Sequence, residues 1–311
     1  RENRWMKIAI SGATSMIGSA LANELLGQGH EVIAIVRNDC KKLSVLNKSD
    51  LLTIVKCDMC DYRTLDILID GKVDVAVATA WNGTRGKDRS NQKLQKTNLQ
   101  YNVDFLQAMI HLECNKFITA GSQAEYGLWT KQEKLTENVD PQPNTEYGKY
   151  KLAFYEYAKD YCQNHNCVLV EPRFFSLYGP NDYAGTLVIS ILRKMISNEP
   201  CDLTECIQMW DFLYIDDAVK ALCMLIESDN AEGVYNFGSG YSAPLKVFIE
   251  KMIAVTHSKS ELHYGTVPYP ATGIVNVNPD ICRLKGIGWN AQWKFEDGIR
   301  TIMTTLQRPV S

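Results

Sequence analysis

The first half of the chain alternates short, continuously apolar runs with longer stretches of helical periodicity. The apolar runs are mostly rich in β-branched residues and lie at Lys7–Ile10, Val32–Val36, Leu52–Lys56, Val73–Ala78, Lys116–Ala120 and Cys167–Glu171. Near-continuous apolarity is typical of parallel strands that are covered by helices on both faces. The alternation therefore predicts an α/β fold with a doubly wound parallel sheet and right-handed crossovers.

Beyond about residue 172 the strand–helix alternation becomes less regular. Loops rich in Pro, Gly and Tyr separate four predicted helices at Thr186–Asn198, Asp216–Ser228, Leu245–Val255 and Phe295–Leu306. Two longer helices are predicted before this point, at Ser90–His111 and Thr145–Asn164. We therefore expect a first domain over residues 1–172 and a smaller, mainly substrate-binding lobe over 173–311, with some segments returning to the first domain.

Bulk composition excludes several classes of protein. The 311 residues carry a formal charge of −3, which argues against a nucleic-acid binder with a basic face. No apolar run approaches the roughly 18 residues that span a bilayer, and the polar start does not resemble a signal peptide. Ten scattered cysteines then suggest reduced thiols in a cytoplasmic protein. Cys57 and Cys60 form one CxxC without a second ligand pair, so no metal site is expected.

The stretch "KIAISGATSMIGSALANELL" predicts a strand, a tight turn and a helix. Gly12 permits the turn, and Gly18 lets the helix pack closely on the strand, while the helix N-terminus offers amides to a diphosphate. Ser15 stands where the usual fingerprint has its middle glycine. The pattern predicts a Rossmann-type NAD(P)-binding domain whose turn contacts the dinucleotide through Gly12, Thr14, Ser15, Met16, Ile17 and Gly18.

The end of the second strand bears on the choice between NAD and NADP. Arg37 and Asn38 come first, and an arginine suits the 2′-phosphate of NADP. Asp39 lies close enough to bind the ribose hydroxyls of NAD instead. We favour NADP slightly. Asp58, after the third strand, either contacts the adenine or caps the helix that follows.

Two YxxxK pairs are present, Tyr147/Lys151 and Tyr155/Lys159. Tyr147 lies near the start of its helix, beside the carboxyl end of the sheet where ligands of α/β proteins bind. Tyr155 lies about 12 Å further along that helix, so Lys159 is expected on the surface. A tyrosine needs a nearby cation to act as a base at neutral pH, and a lysine one turn later faces the same way. Ser122 is placed to supply a hydroxyl to the substrate oxygen.

These motifs together resemble those of a known family. The chain resembles the extended short-chain dehydrogenases/reductases, in particular the NAD-dependent epimerase/dehydratase group. The motifs that carry the resemblance are the Gly12–Gly18 turn, Ser122 four residues before "YG", the Tyr147/Lys151 pair, "EPRFFSLYGP" and "WDFLYIDDA". The resemblance implies a nucleotide-sugar substrate and a homodimer built from the two long helices. It also implies Ser122, Tyr147 and Lys151 as the catalytic set, with Pro172, Phe174 and Phe175 near the nicotinamide.

Departures from the family pattern narrow the reaction. Dehydratases of this family carry Asp and Glu directly after the hydroxyl residue, where this chain has Gln123 and Ala124, so dehydration is disfavoured. Glu125 is shifted by one residue and, in an extended segment, would point to the opposite side. Its role stays open between substrate binding and holding the loop. Ser176 and Trp210 replace an asparagine and an arginine, which leaves the nucleotide undetermined.

A basic loop, "WNGTRGKDRSNQK", follows the fourth predicted strand. Arg85 or Arg89 is a candidate to contact the substrate, although a solvated basic loop explains the charges equally well. Trp81 is a candidate pocket wall. Together with Gln123 and Ser176, Arg85 and Trp81 form the predicted substrate-binding set.

The leading functional prediction is an NAD(P)-dependent enzyme that transfers hydride at a sugar carbon, C4, of a nucleotide-activated sugar. The hint of NADP at Arg37 slightly favours a 4-ketoreductase, which consumes an exchangeable cofactor. A 4-epimerase that retains NAD is the alternative. A non-catalytic dinucleotide sensor is a different class, and it would characteristically lack the Tyr–Lys pair.

Overall fold

The structure, a computed structural model, describes residues 5–306. These residues form two compact units. The first unit contains residues 5–127, 138–174 and 219–235, and the second contains 128–137, 175–218 and 236–306.

Thirteen strands are present in the described residues. They are β1 (Lys7–Ser11), β2 (Glu31–Val36), β3 (Leu52–Lys56), β4 (Val75–Ala78), β5 (Lys116–Thr119), β6 (Gly121–Ser122), β7 (Val168–Phe174), β8 (Ser176–Tyr178), β9 (Cys201–Asp202), β10 (Met209–Tyr214), β11 (Gly233–Phe237), β12 (Ser242–Pro244) and β13 (Leu262–His263).

Nine α-helices and four 3₁₀ turns connect the strands in the same part of the chain. The helices are α1 (Met16–Gly27), α2 (Leu65–Leu68), α3 (Gln92–His111), α4 (Glu146–Asn164), α5 (Leu187–Ile196), α6 (Ile215–Glu227), α7 (Leu245–Thr256), α8 (Cys282–Gly286) and α9 (Phe295–Leu306). The 3₁₀ turns span Leu43–Val45, Met59–Thr64, Gly86–Ser90 and Gln123–Glu125.

The main sheet has the order β11-β7-β5-β4-β1-β2-β3, and β6 also pairs with β7. Parallel pairing is seen in β1–β2, β2–β3, β1–β4, β4–β5, β5–β7 and β6–β7. The chain moves outward from β1 to β3 and then crosses to β4 on the other side of β1. The carboxyl ends of β1 and β4 therefore form the topological switch point, where α/β sheets bind ligands. The predicted α/β, Rossmann-type fold is confirmed.

Three aromatic side chains pack between the sheet and the two long helices. Phe117 of β5 lies between Phe105 of α3 and Phe154 of α4, with ring centroids 5.7 and 6.3 Å apart, and all three rings are buried. Burying three aromatic side chains contributes strongly to the core. This packing fixes the axis of α4, whose first turn carries Tyr147.

Two features of the sheet differ from the expectation. Strand β7 does not end at Glu171 but continues through Pro172 to Phe174, so that Arg173 pairs with Gly121 and Phe174 with Ser122. Strand β11, where no strand was predicted, lies in the part of the chain beyond residue 172 and forms the edge of the main sheet. Long-range pairing decides both features, and a local apolar pattern does not report such pairing.

The second unit contains two small sheets and an aromatic cluster. Strand β10 pairs with β8 in parallel and with β12 antiparallel, while β9 pairs with β13 in parallel. Rings of Tyr178, Phe212, Phe248 and Phe295 pack with centroids 5.0–5.8 Å apart.

Across residues 5–306, no helix has both the length and the apolarity that a bilayer crossing requires.

Candidate active site

The glycine turn after β1 is the first part of the site. Gly12 has a φ of 67°, and a side chain there would place a Cβ 2.9 Å from the backbone nitrogen of Ala80. A Cβ on Gly18 would overlap the carbonyl oxygen of Gly12. Both positions therefore need glycine, because backbone lies against backbone at the switch point. These close approaches fit a turn that receives a diphosphate.

Helix α1 begins directly after this turn and is capped by Ser15. The Ser15 Oγ accepts a hydrogen bond from the backbone N–H of Gly18 at 3.0 Å, which explains a serine in place of the middle glycine. Thr14 precedes this cap, and Met16 and Ile17 form the start of the helix. Amides at a helix N-terminus attract anions. The residues present therefore fit a dinucleotide.

The ends of β2 and β3 carry the side chains expected to recognise the adenosine ribose. The Arg37 side chain is 73% exposed, and its Nε lies 3.8 Å from Asp39 Oδ1. The carboxylate of Asp58 accepts hydrogen bonds from the backbone N–H and the Nδ2 of Asn38, at 3.1 and 2.8 Å. Asp58 stands at the N-cap position of the following 3₁₀ turn, but its side chain makes no cap hydrogen bond there.

The side chains of Ser122 and Tyr147 form a hydrogen bond in the first unit. Tyr147 lies in the first turn of α4, which Thr145 caps by accepting from Gly148 N–H at 3.1 Å. A Cβ on Gly148 would overlap the carbonyl oxygen of Ala124, so this glycine lets α4 approach the turn after β6. Burial raises the pKa of the Tyr147 phenol, while its hydrogen bond with Ser122 opposes that rise.

Lys151 lies one turn further along α4 and is buried. Its Nζ donates a hydrogen bond to the carbonyl oxygen of Ala120 at 2.6 Å and lies 4.0 Å from the ring centroid of Trp81. Burial lowers the pKa of this ammonium to about 8, against the opposing charges of Glu125 and Glu171. Lys159, in the second YxxxK pair, is exposed, as predicted.

The basic loop reaches Tyr147 through Arg89. Arg89 places its Cζ 4.5 Å from the centroid of the Tyr147 ring. Charge from Arg89, and then from Arg85, opposes the rise in the Tyr147 pKa. Gln95 holds the loop: its Nε2 donates to the carbonyl oxygens of Gly83 and Asp88, both at 2.9 Å.

Trp81 is fixed by the same glutamine. Its Nε1 donates to Gln95 Oε1 at 2.7 Å, and its ring meets that of Tyr147 edge-on, with centroids 6.3 Å apart. The indole therefore contacts both members of the Tyr–Lys pair. Sequence reasoning missed Gln95, although a glutamine among the apolar positions of a long helix is a usable signal.

The expectation of an extended segment around Glu125 is wrong. Residues Gln123–Glu125 form a 3₁₀ turn in which the Glu125 carboxylate accepts from Ser122 N–H at 2.7 Å, and the Ser122 Oγ accepts from Ala124 N–H at 3.2 Å. This reciprocal arrangement is a capping box. Its sequence signature, serine followed three residues later by glutamate, is present and was missed. Glu125 is fully buried and lies 3.1 Å from Arg173 Nε.

The remaining predicted residues fall into both units. Pro172 and Phe174 are buried in β7, where Phe174 pairs with Ser122. Gln123 is half-buried in the 3₁₀ turn. Phe175 and Ser176 belong to the second unit. There the Ser176 Oγ accepts from Trp210 Nε1 at 2.8 Å, so the two residues that depart from the family pattern bind each other.

Comparison with known families shows the family to which this chain belongs. The model for the family described as "NAD dependent epimerase/dehydratase family" matches residues 8–238, which cover the glycine turn, Ser122, Tyr147 and Lys151. The chain belongs to this family. The resemblance inferred from the motifs is thereby confirmed. Within residues 5–306, no three His, Cys, Asp or Glu side chains are gathered so that they could hold a metal ion.

Known relatives and solved structures match this chain over nearly its whole length. The chain is 28% identical to the CDP-abequose synthase of Salmonella muenchen over 302 residues, 96% of this chain and 97% of that one. It is 28% identical to the protein CapI of Staphylococcus aureus, covering 94% and 99%. Its fold matches the UDP-glucose 4-epimerase of Thermotoga maritima, solved with UDP-glucose, at a TM-score of 0.86, 20% identity, and 97% and 99% coverage. The Thermus thermophilus UDP-glucose 4-epimerase, solved with NAD, gives a TM-score of 0.85 at 19% identity, with 98% and 100% coverage.

Proposed function

We propose that this chain is an NAD(P)-dependent oxidoreductase that transfers hydride at a sugar carbon, C4, of a nucleotide-activated sugar, and that it works as a 4-ketoreductase. Family membership and relatives named for CDP- and UDP-linked sugars support the substrate class. The observation that carries the proposal is the hydrogen bond between Ser122 and Tyr147, one helical turn from the buried Lys151.

The proposed reaction needs one hydride and one proton. The nicotinamide of a dinucleotide whose diphosphate is bound at the glycine turn would supply the hydride. As hydride adds to the carbonyl carbon, the C–O π electrons move to the oxygen, which takes the phenolic proton of Tyr147. Ser122 donates a hydrogen bond to the same oxygen. The tyrosinate that remains is stabilised by the Arg89 guanidinium over its ring, and solvent returns the proton.

Two observations argue against dehydration. Gln123 and Ala124 offer no group that can remove or donate a proton at those positions. Glu125 is fully buried, bonded to Ser122 N–H and paired with Arg173, so it does not face a substrate. The turn after β6 therefore favours simple hydride transfer.

Five side chains are proposed to bind the substrate. Arg89 and Arg85 supply positive charge beside Tyr147 for an anionic group. Trp81 provides an apolar wall next to the phenol. Gln123 and Ser176 remain proposed polar contacts, chosen for their place in the family pattern.

The cofactor and the direction of the reaction are proposed together. Neighbouring structures contain NAD, whereas the exposed Arg37 at the end of β2 suits the 2′-phosphate of NADP. We favour NADP and a reductase; the alternative is a 4-epimerase that holds NAD throughout its cycle. The cofactor released by denaturing the purified protein should be identified. Stoichiometric NAD(H) would contradict the reductase, whereas a ligand-free site that binds NADPH at least about tenfold more tightly than NADH would support it.

Tyr147→Phe tests the chemistry directly. The change keeps the ring that contacts Trp81 and removes only the hydroxyl, so kcat is expected to fall by about 10²–10⁴ with little change in cofactor Kd. Tyr155→Phe is the matched control, because it removes the same hydroxyl from the second YxxxK pair, and it should retain kcat. Full activity in the Tyr147 variant would overturn the assignment, and a wild-type chain that binds cofactor without turning over any keto sugar would favour the sensor.

We also propose that the protein is a cytoplasmic homodimer. The family resemblance supports a subunit interface formed by α3 and α4. These helices already pack on each other within one chain, where Gln107 Nε2 donates to Tyr157 OH at 2.9 Å.

A further inference from the structure

Four ionisable side chains are buried together behind the active-site turn. Glu125, Glu171, Arg173 and Lys151 are exposed by only 0, 1, 2 and 5%. Burying charged groups costs several kcal/mol for each ion unless they are closely paired. Their formal charges sum to zero when all four are ionised. Such a cluster needs a reason other than stability, since apolar side chains would fill the space at lower cost.

Arg173 is the centre of the cluster. Its Nε lies 2.8 Å from Glu171 Oε2 and 3.1 Å from Glu125 Oε2, and its guanidinium lies 4.5 Å from the ring centroid of Tyr126. Strand pairing sets Arg173 opposite Gly121. A Cβ on Gly121 would lie 2.7 Å from Glu171 Cγ, so the glycine makes room for the cluster against β6.

The cluster holds the backbone that carries Ser122 from two directions. Glu125 Oε1 accepts from the N–H of Ser122 at 2.7 Å. Lys151 Nζ donates to the carbonyl oxygen of Ala120, two residues earlier, at 2.6 Å. Hydrogen bonds that involve charged groups are stronger than neutral ones. The segment 120–122 is therefore fixed by one carboxylate and one ammonium.

We propose that Glu125, held in place by Arg173, is a positioning residue that fixes the Ser122 backbone and lies with its carboxylate beside the Lys151 ammonium. This inference rests on the proposed function, in which Ser122, Tyr147 and Lys151 act on the substrate. The carboxylate of Glu125 is directed at Arg173 and at the backbone of Ser122, so the proposed role of Glu125 involves no contact with substrate or cofactor.

The charges around Lys151 and Tyr147 indicate what loss of Glu125 would do. Lys151 is faced by Glu125 and, with a weaker effect, by Glu171, and both raise its pKa against burial. Tyr147 is faced by Arg89, Glu125 and Arg85, and of these only Glu125 raises its pKa. Removing the Glu125 charge should therefore lower both pKa values. A reduction that needs a protonated Tyr147 and a charged Lys151 would then fail at a lower pH.

Glu171→Gln is a matched control for Glu125→Gln. Both changes remove one carboxylate from the same Arg173, but only Glu125 is bonded to Ser122 N–H. Burial, and repulsion from Glu125, raise the pKa of Glu171 well above its ordinary value. A neutral glutamine at 171 is therefore the milder replacement.

The experiment compares the two variants by two independent measurements. With ¹³C-labelled lysine, the Lys151 resonance, assigned with Lys151→Arg, should titrate at lower pH in Glu125→Gln than in the wild type. That variant should also lose about tenfold or more in kcat, with KM within about twofold, and the upper limb of its pH profile should move to lower pH. Glu171→Gln should show smaller changes in each.

Two outcomes would overturn the proposal. One is a Lys151 titration that Glu125→Gln leaves unmoved; the other is an equal loss of kcat in both variants that simply follows their loss of stability. The titration needs no substrate, so an inactive wild type would count against the proposed function alone. Should Glu125→Gln fail to fold, Glu125→Asp keeps the charge but is one methylene shorter. It should lower kcat while leaving the titration near that of wild type, and unchanged kcat would refute the positioning of Ser122.

Discussion

Replacing Lys151 with methionine is expected to remove a pH-dependent part of the stability together with the proposed catalytic cation. Burial lowers the pKa of this ammonium from its ordinary value of 10.5 to about 8. A lysine whose pKa is lower in the folded than in the unfolded chain disfavours folding while it remains protonated. The difference between 10.5 and about 8 corresponds to about 3 kcal/mol of unfolding free energy. A neutral methionine does not carry this penalty.

The pH dependence of stability isolates this contribution from changes in packing. Below pH 8 both the folded and the unfolded chain hold the proton, so the full penalty is present. Between pH 8 and 10.5 the unfolded chain still holds the proton that the folded chain has released, and wild-type stability rises with pH. Relative to Lys151→Met, the wild type should therefore gain about 2.5 kcal/mol between pH 7 and pH 10.

Urea unfolding of the ligand-free protein at pH 7 and pH 10 measures this gain. Lys159→Met is the matched control, because Lys159 lies two turns later on α4 and is exposed. Its stability difference from the wild type should stay nearly constant with pH. The reasoning would be refuted if the difference between Lys151→Met and the wild type were equally independent of pH.

Three further predictions address the other parts of the site. Gly18→Ala should abolish dinucleotide binding or folding, because its Cβ would overlap the Gly12 carbonyl oxygen; calorimetry with NADPH and a thermal melt distinguish the two, and normal binding would contradict the close approach. Arg89→Gln should move the upper limb of the kcat–pH profile to higher pH, because a positive charge that opposes the rise in the Tyr147 pKa is lost, and an unmoved limb would exclude Arg89 from this role. Light scattering should give a dimer mass, and a charged residue placed at the outer face of α3 or α4 should yield monomers; a monomeric wild type would refute the predicted interface.

The architecture of the first unit could be predicted in some detail from local pattern. Helices predicted at Ser90–His111 and Thr145–Asn164 are observed at Gln92–His111 and Glu146–Asn164. Both begin one or two residues later than predicted, after the N-caps Asn91 and Thr145. Strong periodicity and capping residues carry this information locally. Strand β11 was not predicted, because a five-residue edge strand in a loop-rich region has no comparable local signal.

The sequence predicted individual residues of the candidate site better than the contacts between them. Ser122, Tyr147 and Lys151 were predicted from their spacing, and the structure places the first two in hydrogen-bond contact. The neighbours of the lysine were not foreseen. Lys151 binds a backbone carbonyl and faces an indole, and Arg89 is the cation over the Tyr147 ring. Such contacts join residues far apart in sequence, so spacing does not reveal them.

Glu125 shows where sequence stops and tertiary structure begins. The sequence by itself determined the fold class, the glycine turn and the Tyr–Lys pair, because each depends on local periodicity or on backbone geometry within a few residues. It also contains the signature of the capping box between Ser122 and Glu125. Only the tertiary structure decided that Glu125 is a buried carboxyl paired with Arg173 rather than a group that faces a substrate. Its partner, Arg173, lies 48 positions later in the sequence and is brought opposite Gly121 by strand pairing. The balance of charge in a buried cluster depends on which side chains the fold assembles there.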